Sequence, residues 1–213
     1  MCSYKREQRE SRGESFSTDG AFLKAINTKG RSIEFIGDSY TCGYGTEGED
    51  RNEPFRASEE NCNLTYAAIL GRFFDADVRL VCHSGRGVSR NYDDGDPENT
   101  MVVRYSRMFD EDPDSRWSAR KDGYRPDAVV IYLGTNDFSV GKQPSLDKWC
   151  SDYSKLLGLV RDNYGENVPV LCVSSKLMDG YYVREAVHRS GYKNVHWTSI
   201  QQDVHNDTTE LGS

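Results

Sequence analysis

Residues 33–45 read Ile-Glu-Phe-Ile-Gly-Asp-Ser-Tyr-Thr-Cys-Gly-Tyr-Gly, a short apolar run that breaks at once into Gly37-Asp38-Ser39 and a glycine-punctuated turn. Ile33–Gly37 is too short for a helix and suits a strand buried on both faces, as in a parallel sheet covered by helices. Val78–Cys82, Ala128–Leu133 and Val168–Val173 have the same character, and Asn194–Thr198 is a weaker fifth run. Between them the apolar spacing turns helical. Leu64–Phe74 puts Tyr66, Ala67, Leu70, Phe73 and Phe74 on one face, and Tyr181–Ser190 reads as a short helix. Leu146–Tyr164 repeats its apolar residues at three and four, among them Trp149, which reads as core, and Gly165 stands where a C-terminal cap belongs. Strands alternating with helices predict an α/β fold: a doubly wound, three-layer α/β/α sandwich on a five-stranded parallel sheet with right-handed crossovers.

The 213 residues suffice for one domain with its own core. The polar, unpatterned start (KREQRESRGES) reads as an arm over residues 1–25, with the domain occupying 26–213. Only 36% of residues are hydrophobic and mean hydropathy is −0.75, yet 13 Tyr, 8 Phe and 3 Trp argue against disorder. A formal charge of −7 disfavours sequence-independent nucleic-acid binding, which needs a basic footprint. No apolar run approaches the ~20 residues of a membrane span, and no signal-peptide core follows Met1. The six cysteines show no CxxC pair and no zinc spacing; Cys82 and Cys172 read as small buried hydrophobes, and the compartment stays open. Residues 88–126 are acidic and turn-rich, a connection long enough to be functional or disordered.

In open α/β sheets ligands bind beyond the carboxyl ends of the strands, so the residues just past each run matter most. The first run leads into Ser39, flanked by glycines that permit a tight turn and so can present both a hydroxyl and a backbone N–H. The second ends in His83-Ser84-Gly85-Arg86-Gly87, where glycine lets a backbone N–H face a ligand. The third ends in Gly134-Thr135-Asn136-Asp137, whose Asn136 amide is a further donor, and the last leads to Asp203-Val204-His205. Singly, each has an ordinary structural reading: glycines make turns, Asp38 and Asp137 cap helices, and a lone histidine is solvated. Four strand ends that supply a nucleophile, two donors and a base in one crevice favour the functional reading.

The order of these blocks resembles the SGNH (GDSL-type) hydrolase superfamily: GDSY around Ser39, SGRG around Gly85, GTND around Asn136, DVH around His205. The longer stretches IEFIGDSYTCGYG, SGRGVSRNYD, ENTM and RPDAVVIYLGTNDF are similar to carbohydrate esterase family two, whose members remove acetyl groups from xylan and related polysaccharides. The resemblance covers roughly residues 20–205 and implies the flavodoxin-like arrangement of that superfamily. It implies Ser39 and His205 as the catalytic pair, an oxyanion hole from Ser39, Gly85 and Asn136, no metal and no cofactor. It also implies an acetylated carbohydrate as substrate and a secreted or cell-surface setting.

Two departures accompany it. The superfamily's usual aspartate, three residues before the histidine, is Gln202 here; Asp203 has the family's D-x-H spacing but would point away in an extended turn. Asp38, Asp203 and Gln202 are therefore supporting or orienting candidates only. His205 is followed by Asn206 and eight residues in all, and only about thirty residues precede the first strand, so a trimmed or minimal relative is expected. Of the rival histidines, His83 could line the crevice, His188 sits in the short helix and His196 has a structural reading in the last strand. Tyr44, Arg86 and Trp117 are the candidate substrate-binding residues, Trp117 as a sugar platform in the long connection. The competing expectations are a carbohydrate-binding domain without catalysis and a small-ester or lysophospholipid hydrolase. A nucleotide or flavin binder is disfavoured because no G-x-G-x-x-G opens a helix.

Overall fold

The computed structural model describes residues 29–50, 52–94, 96, 98–174 and 180–200. The arm over 1–25 and the DVH block lie outside the described residues. Five strands form one wholly parallel sheet: β1 Arg31–Gly37, β2 Ala76–Cys82, β3 Ala128–Tyr132, β4 Val170–Ser174 and β5 Val195–Ser199. Their order across the sheet is β2-β1-β3-β4-β5. Each predicted run became a strand, shifted by no more than two residues. Gly37 pairs with both Cys82 and Tyr132, so the first three strands finish level, and their following loops open at one edge.

Alternate residues feed the two faces, as the period of a strand requires. Ile36, Val81, Ile131 and Cys172 enter the larger core with Trp149, Tyr153, Leu156 and Leu157 of helix α5 (Leu146–Tyr164) and Val183 and Ala186 of α6 (Gly180–Ser190). Phe35, Leu80 and Cys82 face the other way, against Cys42 of α1 (Ser39–Cys42) and Ala67 of α2 (Tyr66–Phe73). Helix α5 shows why its spacing was decisive. The Ser145 hydroxyl accepts the Lys148 N–H at 3.3 Å at its start, Gly165 at φ 80° ends it, and the apolar stripe between is buried. Cys82 and Cys172 are buried as expected, and the five described cysteines are thiols rather than disulfides.

The described residues of 88–126 do not form an open loop. Helices α3 (Met101–Arg104) and α4 (Ala119–Asp122) and a bridge between Arg107 and Arg116 fold the stretch onto the larger core. This corrects the platform reading of Trp117, which is 6% exposed. Its ring meets Tyr105 edge-on, its Nε1 donates to Asp122 at 3.1 Å, and the Arg79 guanidinium lies 5.6 Å from its centre. Asp122 accepts from both Trp117 and Arg79 and so lets the indole be buried.

Among the described residues, the expectation that the strands are covered on both faces holds for β1 and β2 but not at the far edge. On the α2 side, Leu171 of β4 and His196 of β5 are exposed, beside an apolar hollow of about 530 Å³ lined also by Ile33, Phe35, Leu70 and Val130.

Candidate active site

Three loops meet at the level ends of β1, β2 and β3. The first is barely a loop, because β1 runs through Gly37 and Asp38 into α1. The Asp38 carboxylate accepts the Tyr40 N–H at 3.1 Å, and its carbonyl accepts those of Thr41 and Cys42 at 3.0 Å. Ser39 is therefore the first helical residue, and its own N–H has no acceptor within the helix. Glycine is required on both sides. A Cβ on Gly37 would lie 1.9 Å from Thr41 Oγ1, and one on Gly43, already at φ 97°, would lie 2.5 Å from the Asn61 carbonyl oxygen. The outcome is a half-exposed serine with its hydroxyl and N–H at the sheet's carboxyl edge.

In the second loop Gly85 has φ 79°, a conformation side chains disfavour, and a Cβ there would find nothing closer than 4.0 Å. The glycine serves backbone direction rather than space. Its carbonyl accepts the Tyr92 N–H at 2.8 Å, and the Ser84 hydroxyl donates to Glu60. In the third loop Asn136 is buried, and its Nδ2 donates to the Arg86 carbonyl at 2.9 Å and to Asp38 Oδ2 at 3.3 Å. One amide thus touches the residue before Ser39 and the residue after Gly85. The geometry brings Ser39, Gly85 and Asn136 together, as their positions after successive strands implied.

Asp137, next to Asn136, does not cap a helix. Its carboxylate accepts three backbone N–H groups of the second loop, from Val88 (2.9 Å), Ser89 (2.6 Å) and Arg90 (3.1 Å). Asp38 does cap α1. Both acids are buried in the same place, and burial raises both. Asp38 is pushed to about 7, the Tyr40 N–H opposing and the charge of Asp137 adding to the shift. Asp137 is pushed to about 6, its three N–H donors holding it down against burial.

His83 turns to the larger core, where its Nδ1 meets the Asp110 carboxylate. The Arg104 guanidinium pairs with Asp110 at 2.8 Å and with Glu111 at 3.5 Å. His83, Asp110 and Glu111 are close enough together to hold a metal ion, but the buried Arg104 guanidinium pairs with both carboxylates and opposes a second cation there. That is the chemistry of an ion-pair cluster rather than of a cation site.

Of the other candidates, Arg86 pairs with Asp96 at 3.0 Å and contributes its carbonyl to the site. Tyr44 is 45% exposed, and its ring centre lies 5.4 Å from that of Phe55, a second exposed aromatic that no motif in the chain singles out. Beside them is a cavity of about 320 Å³ whose wall includes Glu49, Asp50, Glu53 and Glu59. His205, Gln202 and Asp203 lie outside the described residues, and Trp117 is in the core. The roles of Asp137 and of the His83–Asp110–Arg104 cluster were also missed; an aspartate with no helical pattern after it was the available signal for the first.

Residues 35–204 match the GDSL-like Lipase/Acylhydrolase family. The chain is 37% identical over 194 residues to the Cellulase/esterase CelE of Acetivibrio thermocellus, across 86% of this chain and 23% of that protein. It is 32% identical over 158 residues to an Acetylxylan esterase / glucomannan deacetylase of Cellvibrio japonicus, across 68% of this chain and 42% of the relative. It therefore spans less than half the length of either curated relative. Among solved structures, a family two carbohydrate esterase from Clostridium thermocellum in complex with cellohexaose superposes with a TM-score of 0.76 at 36% identity, covering 87% of this chain and 59% of the other. A carbohydrate esterase family 2 enzyme from Corynascus thermopiles (Myceliophthora fergusii) gives 0.74 at 28% identity, covering 86% and 60%. With most of its length matched, including all three described strand-end motifs, the chain belongs to the GDSL-like lipase/acylhydrolase family.

Proposed function

We propose that this chain is a serine esterase that removes O-acetyl groups from carbohydrate, with Ser39 as nucleophile and His205 as general base. The observation that supports the reading is the Asn136 amide bonded at once to Asp38, the residue before Ser39, and to the carbonyl of Arg86, the residue after Gly85. The relatives named as esterases and deacetylases support the same chemistry.

His205 would take the Ser39 proton as the hydroxyl attacks the acetyl carbonyl carbon. The oxyanion so formed would sit against the N–H of Ser39, the N–H of Gly85 and the Asn136 amide. Collapse would expel the sugar oxygen, protonated by His205, and leave an acetyl ester on Ser39. Water, deprotonated by His205, would then attack that ester, and acetate would leave as Ser39 regains its proton. The exposed Tyr44–Phe55 pair is the surface on which a sugar ring would stack, with acidic side chains alongside.

Acetate release from p-nitrophenyl acetate and from acetylated xylan tests this directly, with Ser39→Ala and His205→Ala alongside. Turnover by the wild type that both substitutions abolish is the expected result. Wild-type protein that releases no acetate from either ester overturns the reading. A second reading, carbohydrate binding without hydrolysis, draws on the same exposed aromatic pair, and oligosaccharide binding by a wild type that releases no acetate would replace the first with it. A long-chain acyl preference would instead indicate a lipid ester, for which the polar, acidic wall is unsuited.

A further inference from the structure

We propose that Asp38 is the positioning residue of the oxyanion site: its ionised carboxylate, accepting from Asn136 and Tyr40 together, holds the Asn136 amide between the first and second loops. The inference rests on the proposed acyl-transfer reading and names what orients one of its donors.

The geometry asks for a carboxylate and for nothing else at this position. Oδ1 accepts the N–H of Tyr40, and Oδ2 accepts one hydrogen of the Asn136 amide. Two acceptors are needed, on the two ends of one planar group. An asparagine offers a single oxygen, so one donor would face an NH₂. A protonated carboxyl still accepts through both oxygens, but only weakly through the one that carries the hydrogen, so one of the two bonds is weakened.

The alternative orientation of Asn136 is closed by the same contacts. Turned over, its oxygen would face the Arg86 carbonyl and the Asp38 carboxylate, three acceptors with no proton between them. The Arg86 carbonyl and ionised Asp38 together therefore fix which end of the amide looks into the crevice. With both hydrogens of Asn136 already placed, the oxyanion would share the one held by Asp38, whose bond is the longer, at 3.3 Å against 2.9 Å.

Burial supports a change of state within the working range, since the Asp38 carboxyl is pushed up to about 7. Among the described residues, the titratable groups around it are Asp137 from the third loop, Tyr40 on its own helix, Tyr66 on α2 and, through those phenols, Tyr132 on β3 and Cys82 on β2. Burial holds the Tyr40 and Tyr66 phenols above their ordinary range, so among the described residues Asp137 is the neighbour whose charge changes with that of Asp38 near neutrality. His83 at the end of β2 directs its ring to Asp110 instead.

A rate profile alone will not isolate Asp38, because a histidine base titrates in the same range. The test is the side-chain NH₂ resonance pair of Asn136, assigned by its loss in Asn136→Ala and followed from pH 5 to 9. In the wild type it should shift with a midpoint near 7, and in Asp38→Asn the shift should vanish. The kcat of Asp38→Asn on p-nitrophenyl acetate should fall by up to ~10²-fold, the scale of a misplaced catalytic group, with KM little changed.

A wild-type Asn136 signal that does not move with pH overturns the proposal, and that result needs no variant. A titration retained in Asp38→Asn but lost in Asp137→Asn overturns it too, by transferring the role to Asp137. The Asn136 titration appearing as described in a protein that releases no acetate would leave the positioning inference standing and remove only the esterase reading.

Discussion

The carboxylate of Asp137 occupies the space a side chain on Gly87 would need: a Cβ there would lie 2.3 Å from Asp137 Oδ2 and 2.1 Å from the Arg90 carbonyl oxygen. The second loop wraps so tightly around this acid that Val88, Ser89 and Arg90 all donate to it. Neither contact can give way, one being backbone and the other a buried three-bond acceptor. Gly87→Ala should therefore cost about 2–4 kcal/mol, the upper range for overpacking. Asp137→Ala should cost at least as much, because it leaves three N–H groups without their acceptor at about 1–3 kcal/mol each where water cannot reach them. Urea unfolding of both variants checks this; a Gly87→Ala protein as stable as wild type would mean that the loop is not clamped.

Asn136→Ala separates donation from nucleophilic attack. Loss of one oxyanion donor typically reduces rate by ~10²–10³-fold, or ~3–4 kcal/mol in the transition state. The variant should retain slow acetate release and a KM close to wild type, whereas Ser39→Ala should form no acyl-enzyme. Quench-flow detection of an acetylated protein distinguishes the two. Equal and complete loss in both would make Asn136 a structural tie between the loops rather than a donor.

Period and punctuation carried most of what could be read from the chain alone. Ile33–Gly37 and Ala128–Leu133 announced themselves because an apolar run ended by glycine has few other uses, and they became β1 and β3. Ser39, Gly85 and Asn136 could be grouped because loops after neighbouring parallel strands must share an edge. The contact between Asn136 and Asp38 spans 98 positions and depends on side-chain direction, which no periodicity encodes. Trp117 misled for a related reason: it lies in a long, turn-rich connection, but Asp122 is held by Arg79 and the indole together. Glu34, lodged among apolar residues in IEFIG, is fully buried because Tyr105 and Tyr164, 71 and 130 positions away, supply hydroxyls.

That Glu34 arrangement makes its own prediction. The two carboxylate oxygens accept from Tyr105 at 2.8 Å and from Tyr164 at 2.7 Å inside the larger core. Removing one hydroxyl by Tyr105→Phe or Tyr164→Phe should cost about 1.5–3 kcal/mol, the range for hydrogen bonds to charged groups. The double variant should cost more than the sum, since the second removal strips the buried acid of both named donors. Thermal melts of the three variants give the coupling; strict additivity would indicate that water replaces the lost hydroxyls.

Stability should also depend on pH in an unusual direction. Asp38 and Asp137 have folded pKa values of about 7 and about 6, both above the ordinary 3.8, so the folded chain holds these protons more tightly than the unfolded one. Their contribution is complete near pH 4 and is lost as pH rises to about 6 for Asp137 and about 7 for Asp38. For Asp38 the shift corresponds to a loss on the order of 4 kcal/mol across that window, at 1.36 kcal/mol per unit. Plotted against pH, the unfolding free energy of wild type minus that of Asp38→Asn should decline between pH 4 and 7 and level off above. A difference that stays flat throughout would show that Asp38 has no raised pKa in the folded protein.

Two aromatic substitutions divide stability from substrate recognition. Trp117 is packed against Tyr105 and bonded to Asp122, so Trp117→Ala should lower stability by about 3–5 kcal/mol, as large core deletions do. Tyr44 is exposed and in contact with Phe55, so Tyr44→Ala should leave the melting temperature within a few degrees of wild type. Its effect should fall on the polymer: a raised KM for acetylated xylan, with turnover of p-nitrophenyl acetate hardly altered, since the small ester has no sugar ring to stack. Melting curves and paired kinetics on the two substrates make the comparison. Equal losses on both substrates for Tyr44→Ala would place that ring against the acetyl group rather than along the sugar chain.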